Sequence, residues 1–265
     1  MGLDTKYIID SKIELNKRII KESTFVPSPP KNLSLYNKVA VYNDGRQWKV
    51  IPLSVLLIYT VIYDKHFDKV KDKDGNNIIS DISITFCPYT FCSIIYFGKY
   101  TPVSKIYNGN VVLKNEENIL LSQMKGTPFI RKKEVKIMIL RNVISNYPDC
   151  SYFDETNLGD LKSVIDDDYI INQKILYPTK HKNKKFHPKT LIYGIEYKSK
   201  DITKKDYKYS AIVGKNNNSF NFVKSGFVDY FDNVIERIRN KGGVIIPCFW
   251  YGWTSMHGEV KIIQL

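Results

Sequence analysis

Two of the four cysteines stand close together in the stretch Ile84-Thr-Phe-Cys-Pro-Tyr-Thr-Phe-Cys-Ser-Ile-Ile-Tyr-Phe97. One apolar run delivers Cys87 into a proline-broken turn, and a second carries Cys92 away from it. A short loop between two sulfurs suits a redox disulfide or half of a metal site. Here the loop is longer than that of a CxxC turn, and a disulfide needs Cα atoms within about 7 Å. Three readings stay open: two small buried hydrophobes, a thiol or metal site, and a structural disulfide. Cys248 precedes the aromatic run Phe249-Trp-Tyr-Gly-Trp253, and His257 follows it. If two halves of the chain pack together, Cys87, Cys92, Cys248 and His257 converge and offer thiolate and imidazole ligands to zinc or copper. Trp250, Tyr251 and Trp253, together with Gln123, are candidates to line a binding cleft, while the same aromatics equally suit a β-rich core. His66 and His181 lie in charged stretches and read as solvated; His187, before Pro188, is better placed for a role.

The usual catalytic signatures do not occur: the sequence contains no GxSxG, GxxxxGK[ST], GxGxxG or HExxH. Asp166-Asp-Asp168 and the basic run containing Lys182, Lys184 and Lys185 read as solvated loops, the latter with a capacity to touch phosphates. The stretch ending in Asp74-Gly75-Asn76-Asn77 fails as a calcium loop, because Val70 occupies the place of the first acidic ligand.

The elements that must position these residues are mostly strands. The chain has 265 residues, enough for one large or two small domains with a substantial core. Its 19 Tyr and 13 Phe favour sheet. No run approaches a membrane span, the N-terminus lacks an apolar signal core, and Lys6 breaks the myristoylation pattern after Met1-Gly2. These features point to an intracellular, non-secreted protein with reduced thiols. The net charge of +13 would suit nucleic acid. Richness in Lys, Ile, Asn and Tyr, whose codons are A/T-rich, accounts for the same charge without a polyanion partner.

Residues 4–24 are read as an amphipathic helix or extended arm, ended by Ser28-Pro29-Pro30. Val39–Tyr42, a turn at Asn43-Asp44-Gly45 and Gln47–Ile51 predict a hairpin. Pro52–Ile62 is read as one continuous buried element, Gly98–Asn110 as a loop and Val111–Leu113 as a strand. Val135–Leu140 is a further strand, and residues 150–189 a long surface excursion. Strands follow at Leu191–Tyr197, Ala211–Val213, Phe220–Val223 and Val244–Ile246. Phe227–Arg239 has the clearest amphipathic helical spacing. An internal repeat over 39–125 and 190–265 pairs Val39–Tyr42 with Leu191–Tyr197, and the strand entering Cys87 with the strand entering Cys248.

Several of these landmarks resemble, in order, a mostly bacterial family, the domain-of-unknown-function family numbered 3179. Its pattern runs from "aYPl" through "TYCPLC" and "slWsQ..G" to "yP.t" and "FWfaW..fhP.t". The matching stretches are Val50-Ile-Pro-Leu53, Thr85-Phe-Cys-Pro-Tyr-Thr90, Leu120-Leu-Ser-Gln-Met-Lys-Gly126, Tyr147-Pro-Asp-Cys-Ser151 and Cys248-Phe-Trp-Tyr-Gly-Trp-Thr-Ser-Met-His-Gly258. The resemblance covers about residues 39–265. Here the second cysteine is displaced to Cys92, Leu121 replaces the Trp before Gln123, and Gly258 replaces the final Pro. The resemblance implies a fold and a region of interest, not a reaction.

The expectation is therefore one β-rich α+β domain over 35–265, built from two pseudo-repeats, with an arm at 1–34 that contacts other proteins. The function expected is a non-catalytic binding or structural protein, such as a component of a virion or other large assembly, with a basic surface available to nucleic acid. The alternative is a thiol- or metal-dependent oxidoreductase using the Cys87/Cys92/Cys248 region.

Overall fold

A computed structural model describes residues 3–71, 75, 77–126, 131–156, 158–180, 183–197, 208–213, 236–240, 242–258 and 260–264. In chain order, the strands before the first helix are β1 (Ile8–Asp10), β2 (Ile19–Ile20), β3 (Phe25–Val26), β4 (Lys38–Asn43) and β5 (Trp48–Pro52). Helix α1 (Leu53–Ile58) leads to β6 (Val61–Lys71), β7 (Asn77–Cys87), β8 (Cys92–Phe97), β9 (Thr101–Tyr107), β10 (Asn110–Lys114), β11 (Leu120–Ser122), β12 (Lys132–Glu134) and β13 (Lys136–Ile139). Then come α2 (Leu140–Asn146), β14 (Ser151–Phe153), β15 (Leu191–Tyr197), β16 (Lys208–Val213), β17 (Gly243–Phe249), α3 (Trp250–His257) and β18 (Lys261–Gln264). The fold is β-rich α+β. The strands form sheets ordered β1-β9-β10-β11, β12-β8-β7-β6-β2, β13-β4-β5-β14-β3 and β17-β15-β16-β18.

The predicted β4–β5 hairpin forms around Gly45, whose φ of 103° only glycine adopts cheaply. Its turn is fixed by Asp44, whose Oδ1 accepts hydrogen bonds from the amides of Arg46 (2.8 Å) and Gln47 (2.9 Å).

Residues 4–24 do not form an amphipathic helix; they are extended in part, at β1 and β2, and both strands pair with the body. Short strands alternate there with 3-10 turns at Thr5–Tyr7 and Leu15–Lys17, and Ile9 stands opposite Ile106, Ile19 opposite Val61 and, just beyond, Val26 opposite Tyr152. Leu15 is fully buried. Ile8, Ile9, Ile19 and Ile20 are consumed in pairs as strand contacts while Leu15 enters the core from a 3-10 turn, so tertiary pairing overrides the periodicity.

Other differences have the same origin. Pro52–Ile62 divides into α1 and the start of β6, the proline preceding the first helical residue. Gly98–Asn110 is mostly β9 rather than loop, because β1 and β10 supply partners on both sides. Val135–Leu140 passes from β13 straight into α2. Residues 150–189 are irregular but not a mere surface excursion: Val164, Ile165, Tyr169, Tyr177 and Lys189 are buried. Residues 236–240 are helical, as expected. The rest of the predicted Phe227–Arg239 helix, and Phe220–Val223, lie outside the described residues.

The third and fourth sheets share one connectivity. β4 and β15 each pair antiparallel with the following strand, β5 or β16. β13 and β17 each pair antiparallel with the first strand of that hairpin and run directly into a helix. β14 and β18 each return parallel to the hairpin's second strand. The registers also agree: Lys38 faces Ile139 and Leu191 faces Phe249, in each case the residue before the helix. Lys49 faces Ser151, as Ser210 faces Lys261. The repeating unit thus spans 38–153 and 191–264, and the counterpart of Cys248 is Met138 on β13. Cys87, expected to correspond to Cys248, belongs to strands inserted within the first unit.

One main core joins the sheets, and a smaller cluster packs α2 on β4, with Val39, Val41, Leu140 and Val143 among its members.

Candidate functional site

The hairpin β7–β8 sets Cys87 directly opposite Cys92, so the displaced second cysteine restores rather than loses the cross-strand pairing. Both are free thiols, as are Cys150 and Cys248. The turn between them is tight enough to place Phe91 at φ 55°, a left-handed conformation offset by stacking on Phe249 with ring centroids 5.1 Å apart. Phe249 N–H donates to Thr90 O at 2.7 Å, fixing β17, and with it Cys248, against this turn.

Gln123 is the hub that joins the hairpin to β10 and β11. Its Nε2 donates to Thr85 Oγ1 (3.0 Å) and Cys92 O (3.1 Å), while its Oε1 accepts from Asn110 Nδ2 (3.1 Å). Its backbone N–H reaches Val111 O at 2.9 Å, and its carbonyl accepts from Tyr96 Oη at 2.5 Å. Asn110 in turn donates to Thr90 Oγ1 (2.9 Å) and accepts from Ser122 Oγ and the Met124 amide, both at 2.8 Å. Cys87 Sγ accepts from the Val111 amide at 3.4 Å. Each of these side chains is within 3% of full burial. A buried network satisfied to this degree rigidifies a junction.

Helix α3 closes the other side. No side chain caps its N-terminus; instead the Trp250 and Tyr251 amides donate to Thr190 O (2.8 Å) and Pro188 O (2.9 Å). Trp250 Nε1 donates to Asn183 O at 3.1 Å. Tyr251 Oη donates to Tyr89 O at 2.6 Å, and Tyr169 Oη bonds the same carbonyl at 2.9 Å. Gly252 lets the hairpin turn approach, for a Cβ there would stand 2.8 Å from the Thr90 side chain. The aromatic trio therefore fills the core.

The electrostatics match this packing. Burial pushes the thiols of Cys87, Cys92 and Cys248 above their ordinary values, and the neighbouring Cys248 and Cys87 push Cys92 further. His257 is held well below its ordinary value by burial, then by Lys132 and Lys125. Lys132 itself is ion-paired with Glu196 at 3.0 Å. Among the described residues, no group of three or more His, Cys, Asp or Glu side chains is arranged to hold a metal ion. The zinc or copper set expected from Cys87, Cys92, Cys248 and His257 does not assemble: the sulfurs share one interior, but His257 lies at the far end of α3, with its ring 4.1 Å from that of Trp253.

Surface clefts of about 280 Å³, beside Tyr63 and Asp64, and about 470 Å³, beside Leu176 and Tyr177, open elsewhere. None of the candidate residues lines either. Lys184 and Lys185 are exposed; Lys182 lies outside the described residues. His66, expected to be solvated, is instead buried on β6.

Sequence reasoning missed Asn110, which stands in no recognisable spacing, and gave no role to Thr85 and Thr90, although both lie in the stretch around Cys87. It also missed Lys189, whose side chain is wholly buried over the Tyr169 ring and donates to Tyr169 O and to Asn172 Oδ1 (2.9 Å). A lysine in the sequence announces an exposed residue, so no local signal marks this one. Among the described residues, no helix is long and apolar enough to cross a membrane. Comparison with protein-family models, curated proteins and solved structures yields no match to this chain, so the resemblance to the family numbered 3179 rests on the residues quoted for it.

Proposed function

We propose that this chain is a non-catalytic binding or structural protein that works inside a larger assembly such as a virion. The observation that carries the reading is the state of Gln123 and its neighbours: Gln123, Cys87, Cys92, Cys248 and the aromatic trio are buried in the packing between sheets, and Gln123 is hydrogen-bonded on both sides. Raised thiols are poor nucleophiles and poor metal ligands, which weighs against the oxidoreductase alternative. Four free cysteines suit a reducing, intracellular setting. With residues 4–24 built into the sheets, contacts with other proteins fall to the folded surface rather than to an arm. Exposed Lys184 and Lys185, with the net charge of +13, offer that surface a contact for nucleic acid.

Thiol titration of the native protein, paired with elemental analysis, tests this. The expected result is four inert thiols that all react after denaturation, and no stoichiometric metal. A cysteine that reacts in the native state faster than a free model thiol, or one bound metal per chain, would overturn the reading.

A further inference from the structure

The β4–β5 hairpin is fastened onto β6 by a buried ionic joint. One face of β6 carries Asp64, His66 and Asp68, two residues apart as strand alternation requires. Asp64 Oδ2 accepts from Tyr42 Oη (2.6 Å) and Lys49 Nζ (2.7 Å), and Lys49 also reaches Asp44 Oδ2 at 3.1 Å. The Phe67 amide donates to Asp44 O at 2.7 Å, and Gly45 lies so close that a Cβ on it would stand 1.8 Å from Phe67 O. Lys133 Nζ donates to Asn43 O at 2.6 Å, and Arg131 pairs with Asp68 at 2.7 Å.

His66 sits among these groups only 6% exposed. Its Nε2 is 3.7 Å from Asp68 Oδ1, its ring meets Phe97 edge-on at 5.1 Å, and its Nδ1 is buried without a hydrogen-bond partner. An apolar ring would fill this space without leaving a polar atom unsatisfied, a deficit that costs stability in an interior. The charged groups that frame the imidazole already balance. Asp44 and Lys49 come from the hairpin, Asp64 and Asp68 from β6, and Arg131 and Lys133 from the β12 segment, three negative against three positive. The facing residues of β7 and β8, Ser80 and Phe97, do not titrate.

We propose that His66 is an acid sensor for this joint: protonation of its imidazole loosens the β4–β5 hairpin tip from β6. A proton on Nδ1 finds no acceptor, and the added charge enters a site whose carboxylates are already engaged. Burial, followed by Lys133, holds the imidazole below its ordinary value, with Asp68 only partly opposing them. Because the closed state binds the proton less readily than the opened one, closure is favoured above the ordinary histidine value and weakens as pH falls below it.

Hydrogen-exchange protection of the Phe67 amide, corrected for intrinsic rates, tests this on the full chain between pH 7.5 and 5. The expected result is a loss of protection in the native protein as pH falls through the histidine range, and a flat profile in His66→Phe. Equal loss in native protein and His66→Phe, or none in either, would overturn the proposal. Should His66→Phe fail to fold, the His66 ring resonance of the native protein decides: titration at or above the free value, with Phe67 protection unchanged, would likewise overturn it.

Discussion

A Cβ placed on Gly194 would lie 2.5 Å from the indole of Trp253, so strand β15 and helix α3 meet backbone to ring. Gly194 follows Leu191 by the interval that separates Val41 from Lys38, and Trp253 follows Phe249 as Val143 follows Ile139. The first repeat thus fills with two valines the space that the second fills with a glycine and a tryptophan. Gly194→Ala is expected to cost about 1–3 kcal/mol by overpacking. In urea titrations, Trp253→Leu introduced together with it should recover part of that loss. Strictly additive effects would deny the contact.

Gln123→Leu should remove about 1–3 kcal/mol, because Asn110, Thr85 and the Cys92 carbonyl are left without their partner in a dry interior. The loss should appear in the denaturation midpoint with little change in secondary structure at low denaturant. A variant as stable as the native protein would show that the network is replaceable.

Lys189 carries a pH signature of its own. Burial lowers its ammonium to about 8, against 10.5 ordinarily. Between those values the unfolded chain holds the proton and the folded chain does not, so this residue's contribution to stability rises with pH through that window. Comparing urea midpoints at pH 7.5 and 10 should show that rise in the native protein and its absence in Lys189→Met. Parallel profiles for the two would place the amine in contact with solvent.

If the basic surface meets nucleic acid, binding to duplex DNA should weaken steeply with salt. Replacing Lys184 and Lys185 by alanine should then reduce the slope of log affinity against log salt by about 1 for each phosphate no longer neutralised. A slope near zero for the native protein would remove the polyanion from the proposed function.

Features that depend on neighbours along the chain were legible in the residues alone. The β4–β5 hairpin followed from an Asn-Asp-Gly turn between β-branched runs, and the strand entering Cys87 from its apolar alternation. The β-rich class followed from aromatic and β-branched content. Features that depend on residues far apart in number emerged with the packed fold. Helices α1, α2 and α3, at 6, 7 and 8 residues, are too short to hold alone. They form because strands deliver them onto sheets, and α3 because distant carbonyls of Pro188 and Thr190 take its first amides. The N-terminal segment, read as a helix or an extended arm, supplies edge strands because β9, β6 and β14 offered open edges. The cysteines left a buried, a chemical and a disulfide reading open along the chain, and packing made them buried free thiols, since exposure belongs to the packed whole and is written in no single segment.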